Sequence, residues 1–498
     1  MKKTVHSDRL QRVAVITLFF FISFTSAIPL ENWRAPFYFI AADYEAANGS
    51  PSRMFWDNTS STSLFDGVSL DSDTDSVNRR WYLEPSLYSG IRSPRSPGVE
   101  SSFYFHGDVY NEIRYRNFTM GQNLDVDSRY KYDPAYPAHR NRIFQGRIEE
   151  AWVDIGWQYG GVSIGRKKRS WGPFPDRSLF LSTNPYSYDV IELHLATSFF
   201  EFRHLVAPFA SKYTRLDSDN GSQKDRYFAA HSLNFILGKW ATLGITETVL
   251  FTRNGSFPDL QYINPASIFT VTNTNQEGDG NIIVGFQWNI HPGFENVSLR
   301  GQLALDDIQV DDEKVTDQEP NHWALDAGAF WCEPVPGLQL RHCLALEYTF
   351  ASEWIYTVSD HNGRNGERYI YIRKSLGLPF VDGSLLRVSA SIIPRKTMAL
   401  TLYGSYRRSG GNTELSRWND SDSIYGLPVS IRRPTERRSA AGCDFNYCFR
   451  NLAAFFFTGE LGWIKNKGTV HSKKFTFDPA VSIEATLFFT GIRKVLPE

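Results

Sequence analysis

The residues best suited to chemistry lie in one stretch, residues 156–189, which reads GWQYGGVSIGRKKRSWGPFPDRSLFLSTNPYSYD. Four consecutive cations at positions 166–169 are followed, after one serine, by Trp171. Guanidinium groups hold carboxylates through paired hydrogen bonds, and an indole offers a flat apolar face on which a sugar ring can stack. This combination indicates a site for an anionic or hydroxyl-rich ligand. The predicted ligand contacts are Arg166, Lys167, Arg169, Trp171 and Asp176.

The same stretch is stiffened by three prolines, Pro173, Pro175 and Pro185. Because proline fixes its own φ and restricts the residue before it, we expect this connection to fold inward and pack. An alternative interpretation needs no ligand: the cations pair with carboxylates on a neighbouring wall, and Trp171 fills a gap in the packing. A short motif alone does not decide between the two interpretations, and both stay open.

Strands with alternating apolar and polar residues flank this stretch and recur along the chain. In residues 102–116, for example, Phe105 and Val109 alternate with His106 and Asp108. A transmembrane β-barrel needs this pattern, because lipid surrounds its outer face and its lumen is polar. The alternation, together with short turns and long polar connections, predicts an all-β fold. We expect a transmembrane outer-membrane β-barrel of roughly 16 to 18 antiparallel strands with long extracellular loops.

The composition agrees with an exported barrel and argues against other classes. Hydrophobic residues make up 42% of the chain and aromatic residues 15%. Beyond the N-terminal apolar run, no segment approaches the about 20 apolar residues of a transmembrane helix, and a barrel needs apolar residues on its outer face alone. A large secreted β-protein would share most of these features. The net charge of -1 argues against a nucleic-acid partner.

The sequence predicts three segments. Residues 1–27 have a charged start, a short apolar run and small residues ending at Ala27, as a cleaved secretory signal peptide does. Residues 28–98 alternate too poorly for lipid-facing strands, and we interpret them as an irregular N-terminal region, periplasmic or lumenal. Residues 99–498 are expected to form the barrel in the outer membrane. We expect a monomer surrounded by outer-membrane lipid.

The chain carries four cysteines, and an exported protein can keep disulfides. Cys332 and Cys343 flank a proline-glycine turn and could staple a hairpin, whereas Cys443 and Cys448 would face opposite sides of one strand. The pairing stays open. No Cys-x-x-Cys pair with metal-ligand spacing occurs, and the carboxylates within residues 306–313 lack the spacing of a calcium loop. A solvated acidic rim is the favoured interpretation over calcium binding, and no metal or cofactor is predicted.

Several segments together resemble the signature of a known family. They are Gly165-Arg166, Trp171-Gly172-Pro173, Leu179, Leu181-Ser182, Asn184-Pro185, Asn264-Pro265, GQLALDD at 301–307, Leu346-Glu347-Tyr348-Thr349 and Tyr356-Thr357. Their order resembles that of the capsule assembly Wzi family, outer-membrane barrels of Gram-negative bacteria, over roughly residues 100–410. The resemblance implies a surface lectin that binds or anchors capsular polysaccharide or exopolysaccharide and performs no catalysis.

Two other classes of function remain as alternatives. In a porin or specific channel for anionic or sugar solutes, the cations at 166–169 would form the constriction that selects the solute. A barrel-borne hydrolase would need a serine-histidine or paired-carboxylate arrangement. His194, His204 and His231 lie on predicted strands, where a hydrogen-bonded lumenal histidine is the commoner outcome. We therefore do not predict an enzyme.

Overall fold

The computed structural model describes residues 55–57, 79–92, 102–133, 135–137, 145–174, 177–209, 225–253, 258–275, 280–294, 296–307, 321–334, 341–358, 367–395, 398–416, 434–449, 453–488 and 492–495. The predicted signal peptide, residues 1–27, and the predicted ligand contact Asp176 lie outside these ranges.

Strands dominate this part of the chain. In chain order they are β1 Phe55–Asp57, β2 Arg79–Arg92, β3 Ser102–Tyr115, β4 Phe118–Asp127, β5 Gln145–Trp157, β6 Gly160–Lys167, β7 Arg169–Trp171, β8 Tyr188–Ala196, β9 Phe200–Phe209, β10 Asp225–Leu237, β11 Ala241–Arg253, β12 Asn281–Ile290, β13 Val297–Asp307, β14 His322–Pro334, β15 Arg341–Ala351, β16 Ile370–Tyr371, β17 Lys374–Ser375, β18 Gly383–Arg395, β19 Met398–Ser409, β20 Glu436–Phe449, β21 Ala453–Lys465, β22 Thr476–Phe477, β23 Ala480–Phe488 and β24 Ile492–Val495. Short α-helices, α1 Leu260–Ile263 and α2 Phe269–Asn275, lie between β11 and β12, and 3-10 helices occupy Ser128–Lys131 and Lys467–Thr469. Among the residues described, no helix combines the length and the apolar character needed to cross a membrane.

Twenty of these strands close one barrel, in which each wall strand runs antiparallel to the next wall strand along the chain. β22, β23 and β24 continue one another along a single wall position, which pairs with β21 on one side and with β2 on the other. The wall, as far as the structure describes it, therefore has eighteen positions. The predicted all-β barrel with 16 to 18 antiparallel strands is confirmed.

The two ends of the barrel differ in the length of their connections. Two-residue turns such as 116–117 and 158–159 lie at one end, which we call the short-turn end. Long connections such as 168–187 and 352–382 lie at the other end, the long-connection end. Outer-membrane barrels have short periplasmic turns and long extracellular loops, so the long-connection end corresponds to the cell exterior.

The barrel begins earlier than the sequence predicts. Residues 79–92, which fall within the predicted irregular region 28–98, form β2, and β2 pairs with β3 and closes the barrel against β23 and β24. The predicted start at residue 99 is therefore one strand too late. Pro85 lies in the middle of β2. Because proline has no backbone N–H and rarely occurs inside a strand, it conceals the alternation of this segment.

The wall sorts its side chains onto two faces. Outward residues such as Ile155, Ile191 and Ile483 are apolar and more than half exposed, and they form the lipid-facing surface. Inward residues near the short-turn end are charged and paired: Glu112 is fully buried and contacts the guanidinium of Arg114 at 3.1 Å. This is the inside-out pattern that the alternation predicts.

The half of the lumen near the long-connection end holds an apolar core instead. Two connections fold into it. The first insert is residues 168–174 and 177–187, between β6 and β8, and the second insert is residues 352–358 and 367–382, between β15 and β18. Small wall residues leave room for their large side chains. The core contains Trp171, Leu179, Phe180 and Leu181 of the first insert, Ile355, Tyr356, Tyr369 and Leu376 of the second insert, and Ala207, Ala230, Ala304, Ala324 and Ala351 of the wall. The first insert thus folds inward and packs, as its prolines predict.

A disulfide joins Cys332 of β14 to Cys343 of β15, which are opposite each other in the strand register. It staples this hairpin near the short-turn end, one of the outcomes that the sequence leaves open. Cys443 is a free thiol, and it shares the continuous strand β20 with Cys448.

Three polar residues lie on the outer face of the wall. His204, His231 and Glu247 stand side by side on β9, β10 and β11 in the strand register. They belong to the same face as Phe235 and Ile245, which are exposed toward lipid. His204 and His231 are therefore not lumenal, contrary to the interpretation from sequence. Polar side chains at this position need a cover, because lipid offers them no hydrogen bonds.

The helix α2 supplies that cover. Phe269 is fully buried, and its ring centroid lies 4.3 Å from that of His231. Glu247 accepts hydrogen bonds from the backbone N–H of Phe269 at 2.9 Å and from the hydroxyl of Thr270 at 2.7 Å, and its carboxylate lies 3.0 Å from the His231 ring. The described part of the connection between β11 and β12, residues 258–275, thus closes over the outer wall.

We predict that Phe269→Ala destabilises the barrel by about 3 kcal/mol, because it opens a cavity over the polar residues and exposes Glu247 to lipid. Thermal unfolding in lipid vesicles measures the change. Val271→Ala on the same helix, where the side chain is 50% exposed, is the matched control and should cost less than about 0.5 kcal/mol. Equal stability of the two variants would mean that α2 does not protect the wall.

Candidate functional site

Cations at the end of β6 and at the start of the first insert are paired with carboxylates of the wall. Lys167 contacts Asp154 at 2.6 Å and lies 4.0 Å from the ring of Trp152. Arg169 contacts Glu192 at 2.7 Å, and both of these side chains are buried. A charge-assisted pair of this kind satisfies both partners inside the lumen. These are the contacts that the interpretation without a ligand predicts.

Arg166 faces a different environment from Lys167. It lies on the outward face of β6 together with exposed Ile164, and its guanidinium contacts Asp189 of β8 at 2.7 Å. Lys168 points inward, and its ammonium group lies 3.7 Å from Glu149. The structure therefore distributes the cations over both faces of the wall and does not bring them together around one point.

The sequence Gly161-Val162-Ser163-Ile164-Gly165 matches the G-x-S-x-G pattern of hydrolases. That pattern supports catalysis when its serine sits on a sharp turn between a strand and a helix. Here all five residues lie inside β6, paired with β5 and β8 on either side. The nucleophile turn that such an enzyme needs is not formed at this position.

Trp171 is enclosed completely, with 0% of its surface exposed. Its backbone N–H donates to the carbonyl of Leu181 at 2.8 Å, and its own carbonyl accepts from the hydroxyl of Ser178. In this conformation the indole presents no face to a ligand. It fills the centre of the apolar core between the first insert and the wall.

Gln302 of β13 ties the first insert to the far wall of the barrel. Its side-chain oxygen accepts from the backbone N–H of Leu179 at 2.9 Å, and its amide nitrogen donates to the carbonyl of Trp171 at 2.8 Å. The same amide nitrogen donates to Gln287 of β12 at 3.0 Å, and Gln287 donates in turn to Asn234 of β10 at 2.6 Å. A ladder of buried side-chain amides thus connects the wall to the backbone of the insert.

Two glycines leave the space that this ladder occupies. Gly172 has φ of 151°, which favours glycine, and a Cβ at this position would lie 2.4 Å from the amide nitrogen of Gln302. A Cβ at Gly244 of β11 would lie 1.9 Å from the side-chain oxygen of Asn234. The ladder can cross β11 because no side chain stands there.

Arg177 is a position that the sequence analysis did not identify. Its guanidinium contacts Asp326 of β14 at 2.8 Å and Glu347 of β15 at 2.5 Å, and it lies 4.2 Å from the ring of Phe174. Thr349 donates a further hydrogen bond to Asp326 at 2.9 Å. The signal in the sequence was the segment 346–349, whose Glu347 and Thr349 both serve this contact.

The second insert completes the enclosure of the first. The phenol of Tyr356 donates to the carbonyl of Leu179, and the phenol of Tyr369 donates to the carbonyl of Phe180, each at 2.8 Å. Burial raises the pKa of both phenols, so they remain protonated donors. Asp306 of β13 accepts from the backbone N–H of Tyr356 at 2.8 Å. One of the carboxylates considered for calcium therefore anchors the second insert, whereas residues 311–313 lie outside the described ranges.

An aromatic and charged group, which we call the mouth cluster, lies where these segments meet at the long-connection end. It comprises Tyr130, Asp133, Tyr136, Tyr186 and Lys374. The rings of Tyr130 and Tyr136 stack at 4.7 Å, and the ammonium group of Lys374 lies 4.4 Å from the ring of Tyr186. The cluster joins the connection after β4 to both inserts.

Asp133 holds the mouth cluster together electrostatically. Its carboxylate accepts from the phenol of Tyr186 at 2.6 Å and contacts Lys374 at 3.0 Å. Burial alone would raise the pKa of Asp133, but the hydrogen bonds from Tyr186 and from the N–H of Ala135, together with Lys374, outweigh it and lower that pKa. The carboxylate is therefore ionised at neutral pH. Tyr132, the next residue toward the N-terminus, is 64% exposed beside it.

Comparison with known proteins identifies the fold. No protein-family model and no curated protein matches the sequence. Among solved structures the chain is similar to Wzi of Escherichia coli, which is described as an outer membrane protein involved in group 1 capsule assembly and as a carbohydrate-binding β-barrel. The TM-score is 0.60 and the sequence identity is 11%, over 92% of this chain and 98% of that chain.

Two further solved structures match at lower scores. OccAB4 of Acinetobacter baumannii has a TM-score of 0.43 at 10% identity over 83% of this chain and 98% of that chain. OprD of Pseudomonas aeruginosa has a TM-score of 0.44 at 7% identity over 84% of this chain and 96% of that chain. At such low identities the likeness concerns the fold. The chain has the fold of an outer-membrane β-barrel, which supports the predicted location in the outer membrane.

We predict that Gln302→Leu lowers the free energy of unfolding by about 2 to 3 kcal/mol, because it leaves the buried N–H of Leu179 without its acceptor. Denaturant unfolding in lipid vesicles measures this loss, and limited proteolysis from the exterior should then cut within the first insert.

Gln122→Leu is the matched control for Gln302→Leu. Gln122 is exposed on the outward face of β4, between the lipid-facing Met120 and Leu124, so the same substitution should be neutral or stabilising there. If Gln302→Leu behaved like Gln122→Leu in both assays, the amide ladder would not be what holds the insert.

Proposed function

We propose that the chain is a non-catalytic outer-membrane barrel that binds or anchors capsular polysaccharide or exopolysaccharide at the cell surface. The observation that carries this proposal is the pair of inserts that crosses the lumen. The first insert is hydrogen-bonded to β13 through Gln302 and ion-paired to β14 and β15 through Arg177. A lumen occupied in this way suits a rigid scaffold that presents a surface, and it does not suit a wide pathway for solutes.

The mouth cluster is the surface that we assign to the ligand. Tyr136 and Tyr186 are buried within the cluster, so the apolar face of a sugar can stack on the exposed ring of the adjacent Tyr132, and the charged groups can contact hydroxyls and carboxylates. Tyr132 presents an exposed ring beside Asp133 and Lys374, which are both partly exposed and fixed by their mutual ion pair. Groups that are already held in place lose little conformational freedom on binding, which favours affinity.

Three of the five contacts predicted from sequence support this surface from below. Lys167, Arg169 and Trp171 are buried beneath the mouth, where they hold the first insert. Arg166 lies on the outer wall. A direct role of Arg166, Lys167, Arg169, Trp171 and Asp176 in polysaccharide contact stays a prediction.

A specific channel is the alternative function. In that case the cations at 166–169 would present positive charge to an anionic solute. Lys167 and Arg169 are each neutralised by a carboxylate within hydrogen-bonding distance, which weakens their attraction for a free anion. The conductance of the protein distinguishes the two functions.

We predict that the purified protein in planar bilayers shows no steady open channel. A variant in which residues 169–187 are replaced by a short glycine linker should conduct, because it removes the first insert from the lumen, and it shows that the assay detects an open barrel. Steady ion-selective conductance of the unaltered protein, abolished by a sugar solute, would favour the channel over the lectin.

We also predict that Tyr132→Ala and Lys374→Gln each weaken binding to purified surface polysaccharide by roughly tenfold without loss of assembly. A glycan array followed by titration measures the change. Tyr159→Ala is the matched control, since Tyr159 is 57% exposed but lies at the short-turn end. Trp171→Ala should lower thermal stability. Undiminished binding by Tyr132→Ala and Lys374→Gln would place the ligand elsewhere.

A further inference from the structure

A row of three cations lies on the outer wall at the long-connection end. Arg408 of β19 is opposite Arg437 of β20, and Arg437 is opposite Lys465 of β21. Arg408 and Arg437 are exposed, and Lys465 is partly exposed. All three stand within one residue of the end of their strands. We call these residues the rim row.

The neighbouring row shows which way the rim row faces. On the same three strands, the positions two residues closer to the short-turn end hold Tyr406, Ser439 and Trp463. These residues are also opposite one another in the strand register. Tyr406 and Trp463 are large, and 38% and 43% of their surfaces are exposed. Tyrosine and tryptophan collect at the boundary between hydrocarbon and headgroups in membrane proteins. The rim row therefore stands just beyond that boundary, on the side of the headgroups.

Three cations side by side on neighbouring strands are unfavourable unless negative charge compensates their repulsion. Like charges that stand directly opposite each other on neighbouring strands repel. Among the described residues, no ion pair joins the rim row to a carboxylate. The inward-facing Arg438 is the contrast, because it contacts Glu460 at 2.7 Å and Asp478 at 3.1 Å. Carboxylates of the protein thus pair with the cation inside the barrel. The rim row on the outside can instead pair with an anionic group of a separate molecule.

We infer that the rim row binds the phosphate groups of an anionic glycolipid of the outer leaflet. Phosphate oxygens accept short charge-assisted hydrogen bonds from guanidinium and ammonium groups, and several cations in a row can share two phosphates. Phe475 lies beside the row, 64% exposed, with its ring centroid 5.8 Å from the ammonium group of Lys465. Together with Trp463 it offers an apolar contact to the lipid chains below the headgroup.

A lipid fits this place better than a polysaccharide does. Below Tyr406 and Trp463, toward the short-turn end, the next outward side chains are Leu402 of β19 and Leu461 of β21. Both are apolar and more than half exposed. The cations therefore continue a lipid-facing surface and lie apart from the mouth cluster, which faces the exterior between the inserts. This inference depends on the barrel fold and is independent of polysaccharide binding.

Native mass spectrometry of the detergent-purified full chain tests the inference with two probes, bis-phosphorylated lipid A and the same lipid after removal of its phosphates. The variant Arg408→Gln/Arg437→Gln/Lys465→Gln should bind the phosphorylated lipid on the order of 100-fold more weakly than the unaltered protein. The variant Arg408→Lys/Arg437→Lys keeps the charge and should retain most of the binding. Arg116→Gln/Lys239→Gln removes exposed cations at the short-turn end and should leave binding unchanged.

Folding of each variant is checked by heat-dependent gel mobility. In lipid-free detergent the triple variant should unfold at the same temperature as the unaltered protein or higher, because the repulsion within the row is gone. Should the triple variant fail to assemble, Arg437→Gln, which removes the central cation, is compared in the same way.

Equal binding by the unaltered protein and the triple variant would overturn the inference, and so would equal binding of the two lipids. A lower unfolding temperature of the triple variant without lipid would also overturn it, since it would give the row a structural role. If anionic polysaccharide binds the row and the phosphorylated lipid does not, the row belongs to the polysaccharide surface and the inference is wrong.

Discussion

The side-chain amide of Gln302 is the contact on which the interior of this barrel depends. A segment that crosses the lumen carries backbone N–H and C=O groups that need partners, and a wall strand has already used its own in pairing with its neighbours. Gln302 solves this problem because one amide both accepts from Leu179 and donates to Trp171. With those two groups satisfied, the large side chains between them can be buried without water. The enclosure of Trp171 follows from this contact.

The resulting lumen has two halves with different chemistry. Near the short-turn end, inward residues are charged and paired, as with Glu112 and Arg114. Near the long-connection end, inward alanines such as Ala304 and Ala324 leave the volume that the inserts fill, and larger apolar wall residues such as Phe228 and Leu250 join the same core. Cations at the start of the first insert lie between the halves, where carboxylates of the wall pair with them. A polar lumen and a dry core thus coexist in one barrel, because the inserts bring their own apolar surface.

Lipid made the wall predictable, because it imposes a strict period of two on every strand that faces it. The inserts follow no such rule: Gln302 contacts Trp171 over a separation of 131 residues, and Arg177 contacts Glu347 over 170. Their segments could be recognised by resemblance, but the sequence did not reveal that these segments meet inside the lumen. β2 was missed because Pro85 interrupts its pattern. The outward position of His231 was missed because a polar residue on a strand is ordinarily assigned to the lumen.

The group of His204, His231 and Glu247 and the rim row both interrupt the apolar outer face, and their different depths explain why one group is covered by protein and the other is not. His231 stands six residues below the upper end of β10, which at about 3.4 Å per residue is roughly 20 Å along a tilted strand. At that depth neither water nor headgroups can satisfy it, so Phe269 of α2 covers it and Glu247 of β11 pairs with it. Arg408 and Arg437 stand one residue from the ends of their strands. Cations at that height can reach headgroup phosphates directly, so the wall needs no protein cover there.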